Sequence, residues 1–477
     1  MPAERGFGED FMSDERLFFN GVDGATGEYL LPSLAPEELV ELLDPGTAEP
    51  VAPGEKKVIF GIDPRKLEES GWGVVFARDA DPAVRQALEP LLAHRRAQAG
   101  RCSPQRFREY SGGEGYRHGE SASSLLRRLG VGPGPIDSDK APYYLLLVGG
   151  PCEIPYHVQY ELDLAFAIGR LSFETAEEYA RYAETVVAAE TGRIRRPRRV
   201  GLLASSHDPA TEMSCRGLVA PLAEYLDRTF AGRGWQVDAH LAEAASKDRF
   251  GRVLGGDETP ALAVTASHGV RFPSGHPRQR AEQGAFLCQE WGGADGREVG
   301  EMRLFGGRDV ADDARPEGLV SFHFACYGAG CPARDDFAHK RPDEPPQPVA
   351  PEPLVAALPR RLLGHPNGGA LAVIGHVDRA WGWSYVFGQA YQREVFESTL
   401  AELLCGYPVG AAMERFGERH GQLAGMLAAA GQRQKHGETG DPKEHADLLT
   451  ATHDARNYVV LGDPAVRLAV DGLGEEA

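Results

Sequence analysis

Residues 261–269 read Ala-Leu-Ala-Val-Thr-Ala-Ser-His-Gly, and residues 319–328 read Leu-Val-Ser-Phe-His-Phe-Ala-Cys-Tyr-Gly. Each is a short apolar run that stops on a residue able to take part in nucleophilic chemistry, His268 in one and Cys326 in the other. A run that is continuously apolar, rather than alternating, is expected of a strand buried on both faces of a parallel sheet. Parallel strands share one C-terminal edge, and α/β proteins place their sites along it. Two adjacent strands of this kind would bring His268 and Cys326 together although they are distant in the chain.

Similar runs at 57–62, 72–77, 143–148, 200–204 and 370–374 alternate with helical patterns, the signature of α/β layering. Thr175 followed by Glu178 is a capping box, and Tyr179, Tyr182, Val186 and Val187 continue it at helical spacing. Val84, Leu88, Leu91 and Leu92 mark another helix over 82–93, and Leu218, Leu222, Tyr225 and Leu226 a third. The basic, proline-broken stretch 191–199 divides the chain into an N-terminal α/β subdomain, 51–195, and a second subdomain, 196–472. Residues 1–50, punctuated by Gly and Pro, are expected to wrap onto the surface. The Pro-rich stretch 331–353 is expected to be an exposed loop with little regular structure.

The chain has 477 residues, enough for two domains or one large domain with insertions. Hydrophobic residues make up 42%, as in globular proteins, and no run approaches the roughly 20 apolar residues that span a bilayer. The N-terminus has no basic region followed by an apolar one, so no secretory signal is expected and a cytoplasmic location is. A formal net charge of −19 repels phosphate backbones, which argues against nucleic acid as a partner. The seven cysteines are odd in number and form no CxxC pair, so neither a disulfide framework nor a zinc knuckle is expected. His268 with His276, or His323 with Cys326, supplies too few ligands for a metal, and no cofactor is expected. No oligomer signal is visible.

The two strand ends suit acyl transfer. A thiolate is the nucleophile, and a neighbouring imidazole lowers the thiol pKa or takes its proton during attack. Gly269, lacking a Cβ, lets its amide approach a developing oxyanion together with the amide of Cys326. Taken singly, a His after a strand also reads as a structural hydrogen-bonder, and a Cys as a core thiol. His323 points away from the neighbours of Cys326 by the period of two and reads as structural. Asp463, in Gly-Asp-Pro after a strand, reads as an Asx-type turn.

Several landmarks stand in order around these residues: Tyr143 to Gly150, Glu153-Ile-Pro155, Asp163, Gly169-Arg170, His268-Gly269, Ala325-Cys326 and Gly462-Asp463-Pro464. In this order they resemble the gingipain family of cysteine peptidases, within the caspase-like clan CD that includes separases, legumains and CHAT-type domains. The resemblance spans residues 140–470 and implies a caspase-like three-layer α/β/α sandwich with a mostly parallel sheet. It implies His268 and Cys326 as the catalytic dyad. It also implies Phe324, two residues before the nucleophile, and Trp381, in Ile374-Gly-His-Val-Asp-Arg-Ala-Trp381, as walls of the pocket for the residue preceding the scissile bond. Asp208 corresponds to an acidic residue that orients the histidine in some relatives. Glu212 lies near the acidic position that binds a basic side chain in others, although Ser214 also competes for it.

The function this implies is hydrolysis of an intracellular protein or peptide through a thioester acyl-enzyme, with a basic residue as the candidate preference. A non-catalytic caspase-like scaffold or sensor is the rival from another class, and acyl transfer to a non-peptide substrate is a second. Arg334, Lys340 and Arg341 in the Pro-rich segment offer a place for self-cleavage.

Overall fold

A computed structural model describes residues 21–31, 33–35, 38, 58–294, 296–335, 337, 346–388, 390–436 and 441–473. Ten strands form one sheet: β1 (Trp72–Phe76), β2 (Phe107–Tyr110), β3 (Tyr144–Val148), β4 (Ala167–Leu171), β5 (Arg199–Ala204), β6 (Gln236–Leu241), β7 (Leu262–Ala266), β8 (Val320–Phe324), β9 (Ala372–His376) and β10 (Tyr458–Gly462). Their spatial order is β2-β1-β3-β4-β10-β9-β8-β7-β5-β6. Every neighbouring pair is parallel except β9 with β10. The sheet is therefore two five-stranded parallel blocks of opposite direction, fused at that antiparallel seam. This arrangement decides where a site can form. The C-terminal ends of β5, β7, β8 and β9 share one edge, and those of β1, β3 and β4 lie on the other.

The continuously apolar runs are indeed the strands buried on both faces: β1, β3, β7, β8 and β9 are buried throughout. Along β8, Phe322 and Phe324 pack on Phe396, while His323 points to the opposite face against Phe286. Helices cover both faces, giving the three-layer, mostly parallel α/β/α arrangement expected from the sequence.

Two local expectations change, and one strand was not foreseen. Of 57–62, Lys57 lies outside the described residues; Val58 forms an isolated bridge with Ile136, and none of residues 58–62 belongs to a strand of the sheet. The strand Phe107–Tyr110 carries no apolar-run signal, because it lies at the sheet's edge, where half-polar Phe-Arg-Glu-Tyr is tolerated. The helix expected over 82–93 is two helices, Pro82–Ala87 and Glu89–Ala99. Pro90 has no N–H to give to a preceding turn, so the helix restarts with Pro90 in its first turn.

Strands β1–β4 come from residues before the basic stretch 191–199 and the rest from after it, yet the sheet is continuous. Asp463 ties the two sets together. Its carboxylate accepts hydrogen bonds from Trp72 Nε1 at 3.0 Å and Arg95 Nε at 2.7 Å, and Arg95 also pairs with Glu190 at 2.6 Å. The Asx-type turn is present as well, since Asp463 Oδ1 accepts from the Ala465 amide at 3.0 Å.

The Pro-rich segment is less open than expected at its ends. Gly330–Cys331 pairs antiparallel with Leu354–Val355, Cys331 and Val349 are buried, and Arg334 donates to the Pro346 carbonyl. Lys340 and Arg341 lie outside the described residues. Among the described residues no helix is long and apolar enough to cross a membrane.

Candidate active site

The chain brings four of the expected residues together at the C-terminal edge of β5, β7 and β8. His268 follows β7 by two residues and is fully buried. The backbone holds it there: its carbonyl accepts from the Leu287 amide at 3.0 Å, and the Ser267 hydroxyl donates to the Leu287 carbonyl. Rings of Tyr29 and Trp291, each with its centroid 5.9 Å away, enclose the imidazole.

Asp208 follows β5 and begins the short helix α1 (Pro209–Ser214). Asp followed by Pro is a strong helix start, because Asp accepts the free amides of the first turn and Pro needs no partner there. Asp208 accepts from the Thr211 amide and hydroxyl, both at 2.9 Å, which aims its second oxygen at His268. That oxygen lies 2.6 Å from His268 Nε2. Burial alone would raise the Asp208 pKa, but its electrostatic pairing and hydrogen bond with His268, with the Thr211 bonds, hold it well below the usual carboxylate range.

The other ring nitrogen of His268 faces an unexpected neighbour. The amide of Gly21, from the N-terminal extension, donates to His268 Nδ1 at 2.9 Å. A backbone N–H only donates and an ionised carboxylate only accepts, so the neutral ring carries its proton on Nε2 and a lone pair on Nδ1.

Cys326 follows β8 by two residues, and its thiol is also buried. The Ala380 amide donates to Sγ at 3.3 Å, and the Ala380 carbonyl lies 3.8 Å away. Burial pushes the thiol up to about 12, so Cys326 is a neutral thiol in this state. Tyr327, buried, takes a left-handed conformation at φ 58° and turns the chain sharply after Cys326. Its amide donates to the Asp378 carbonyl at 2.8 Å. Gly269 lies directly on this backbone: a methyl group there would stand 1.8 Å from the Cys326 carbonyl oxygen. Only glycine lets the two strand ends approach so closely.

Gly21 links the pair. A methyl group on Gly21 would stand 3.1 Å from Cys326 Sγ, while its nitrogen is bonded to His268. The segment after it is a hairpin. Val22 bridges Tyr29, the Asp23 amide donates to Glu28, the Leu30 amide donates to the Gly21 carbonyl, and Asp23 closes the turn by accepting from the amides of Ala25 and Thr26. Val22–Asp23 adds parallel to Val270–Arg271, and Val22 is buried with Val270, Phe272 and Trp291. The Tyr29 hydroxyl hydrogen-bonds Asp208; burial, then that carboxylate's charge, raise the phenol well above its usual range. The described hairpin of the N-terminal extension is thus not confined to the surface, because its Val22 finds an apolar cluster to fill.

The remaining expected residues stand elsewhere. Phe324 sits inside β8 beneath Tyr385 and Phe396, with ring centroids 5.7 and 6.3 Å away. Trp381 adjoins Ala380, the residue touching Sγ, but its side chain is fully buried against Phe337 at 4.7 Å. Its amide donates to Asp454 at 2.8 Å, which fixes the loop after β9. Glu212 lies one helical turn beyond Asp208 and pairs with Arg216 at 3.0 Å, while the Ser214 hydroxyl donates to the Thr211 carbonyl. Burial holds His323 neutral, pushed down to about 3. Among the described residues no group of three or more His, Cys, Asp or Glu is arranged to hold a metal ion. Sequence reading missed Gly21, Tyr29, Trp291 and Ala380. Only the Asn20-Gly21-Val-Asp-Gly turn signal near the N-terminus could have drawn attention to the hairpin.

No protein-family model matches the sequence, and no curated protein matches it. Among solved structures, the chain is similar to one described as a protease, at 16% identity and TM-score 0.45, covering 84% of this chain and 78% of that one. It is similar to the complex of the pro- and mature domains of Porphyromonas gingivalis RgpB, at 12% identity and TM-score 0.42, covering 84% and 80%. It is also similar to the Saccharomyces cerevisiae separase–securin complex, at 12% identity and TM-score 0.28, covering 72% of this chain and 17% of that one.

Proposed function

We propose that this chain is a caspase-like cysteine endopeptidase of the gingipain type, with Cys326 as nucleophile, His268 as general base and acid, and Asp208 as the residue that orients His268. The observation that carries this reading is the hydrogen bond of Asp208 to His268 Nε2, beside one backbone residue, Gly21, that is bonded to His268 Nδ1 and on which a methyl group would stand 3.1 Å from Cys326 Sγ. An imidazole that keeps its proton on the Asp208 side has Nδ1 free to take the thiol proton. Sulfur then attacks a peptide carbonyl, Nδ1 returns the proton to the leaving amine, and water releases the thioester. The amides of Gly269 and Cys326 are the donors for the oxyanion.

The substrate is a protein or peptide. A basic side chain before the scissile bond stays the candidate preference: Asp208 is taken by His268, and Glu212 stands in an exposed pair with Arg216. The buried thiol and the docked hairpin make this a latent state, which is also what a non-catalytic module would look like. A peptidyl acyloxymethyl ketone separates the two readings. In a Val22→Asp variant, whose buried carboxylate expels the hairpin, label is expected on Cys326 alone and lost with His268→Ala. Labelling of Cys326 no faster than that of the other six cysteines would favour the scaffold.

A further inference from the structure

His376, the last residue of β9, is fully buried, and both of its ring nitrogens face acceptors. Nδ1 lies 2.9 Å from the Asp378 carbonyl oxygen. Nε2 lies 2.9 Å from the Asp454 carbonyl oxygen and 3.4 Å from a carboxylate oxygen of the same residue. A carbonyl oxygen only accepts, and a neutral imidazole carries a single N–H. A neutral His376 would therefore turn a lone pair on one of these oxygens. An imidazolium satisfies both, and Asp454, itself fully buried, supplies the balancing carboxylate. Burial alone would lower the His376 pKa, but the hydrogen bond and charge of Asp454, with the two carbonyls, raise it.

This pair holds the loop 378–381, which stands against Cys326. The Asp378 carbonyl that accepts from His376 also accepts from the amide of Tyr327, the residue after the thiol, at 2.8 Å. At the other end of the loop, Asp454 accepts from the Trp381 amide at 2.8 Å and from the Ser384 hydroxyl at 2.5 Å. Between these two fixed points the Ala380 amide donates to Cys326 Sγ at 3.3 Å. An N–H already aimed at a sulfur becomes a charge-assisted donor when that sulfur ionises, with no reorganisation at the moment of reaction. Granted the peptidase reading, on which this rests, we infer that the Ala380 amide is a further catalytic group that stabilises the Cys326 thiolate. The buried His376–Asp454 ion pair positions it.

In the step itself the thiol proton passes to His268, the negative charge stays on sulfur, and the Ala380 N–H keeps its proton. The other titratable groups packed around the pair have separate partners. Arg379 pairs with Asp335, and its amide donates to the Asp378 carboxylate at 2.7 Å. His453 approaches Asp378 at 3.9 Å, and Arg419 donates to the Trp383 carbonyl at 2.6 Å. Tyr458 packs edge-on against His376, with ring centroids 4.9 Å apart, and its hydroxyl meets that of Ser384 at 2.7 Å.

NMR of the full chain, isotope-labelled at histidine, reads the pair directly, with the His376 signals assigned by their loss in His376→Gln. Both ring nitrogens are expected to carry protons at pH 8, where an ordinary imidazole with a pKa of about 6.5 is neutral. In Asp454→Asn one of those protons is expected to be lost. Labelling of Cys326 by the peptidyl ketone is then followed against pH in Val22→Asp, with and without Asp454→Asn. Loss of a well-aimed donor to a charged sulfur is expected to raise the midpoint by about one pH unit, so that labelling slows about tenfold near pH 7. The rate at the high-pH plateau should not change, whereas a merely structural role would lower the rate equally at every pH. A wild-type His376 with one protonated nitrogen at pH 8 would overturn the proposal, whether or not Asp454→Asn folds. An unchanged midpoint, or a uniform loss of rate, would overturn it while leaving the peptidase reading in place. A Cys326 that stays unreactive in Val22→Asp would remove that reading, and the role of Ala380 with it.

Discussion

Asp208 has two jobs in one side chain. It caps α1 through Thr211 and holds His268 through its second oxygen. Asparagine keeps the first job, being an equally good cap, and loses the second, because it cannot balance an imidazolium. Asp208→Asn is expected to lower kcat on a peptide substrate by roughly 10²-fold or more while shifting stability by less than about 1 kcal/mol. Steady-state kinetics and denaturant unfolding on the same preparation check this. Gly269 is constrained by space alone. Gly269→Ala puts a methyl into the Cys326 carbonyl oxygen, and the backbone must move to relieve it. A loss of about 1–3 kcal/mol, read from the denaturant midpoint, is expected from such overpacking. The loss of Cys326 labelling should be larger than that instability accounts for, since the same shift misplaces the proposed oxyanion donors.

The Gly21–Leu30 hairpin is a separable element. It is held by one buried side chain, Val22, and by a few backbone bonds, with Tyr29 over the Asp208–His268 pair. Elements secured by so few contacts open locally at a lower free energy than the core strands. Gly27 is the place to loosen it: φ is +70°, and a methyl would stand 2.0 Å from the Arg297 carbonyl oxygen. Gly27→Ala is expected to speed amide hydrogen exchange at Val22 and Leu30 without changing exchange in β7 and β8, as measured by mass spectrometry or NMR. Slowed exchange in the hairpin, or equal acceleration in the core strands, would show that the hairpin does not open by itself. The helix break at Pro90 and the left-handed turn at Tyr327 belong to the same scale, where one residue's backbone preference redirects an element.

At the scale of the molecule, the contact between the two sets of strands depends on a buried charge cluster. Arg95 lies between Asp463 and Glu190, at 2.7 and 2.6 Å. Removing one carboxylate leaves a buried guanidinium short of compensation, so Asp463→Ala is expected to cost about 3–5 kcal/mol by thermal or chemical unfolding. The cluster also sets an acid limit. Burial works to raise the Glu190 pKa, but the charge of Arg95 and hydrogen bonds from His94, Arg95 and Gln98 lower it to about 2. A carboxyl held lower in the folded than in the unfolded state stabilises the fold above its unfolded pKa, here near 4.5. That contribution falls away as pH drops from about 4.5 towards 2, and Glu190→Gln is expected to flatten this part of the stability curve.

The layers and most of the strands were legible in the chain alone, because burial on both faces demands mainly apolar runs such as those at 144–148, 262–266 and 320–324, and those runs are local. His268, Cys326 and Gly269 were marked in the same way, since strand ends in a parallel block share an edge. Asp208 was visible as a candidate, but its hydrogen bond to His268 depends on the turn of α1, and its aim is set by Thr211. Phe324 and Trp381 were expected to line a pocket and are enclosed instead, because the aromatic layers that bury them come from distant residues such as Phe337 and Phe396. Two features emerged only on folding: the two parallel blocks run in opposite directions, and Gly21 stands beside both His268 and Cys326. The physical reason is shared. A hydrogen bond joining residues 247 positions apart leaves no periodicity in the chain, and only packing determines which backbone reaches the open edge.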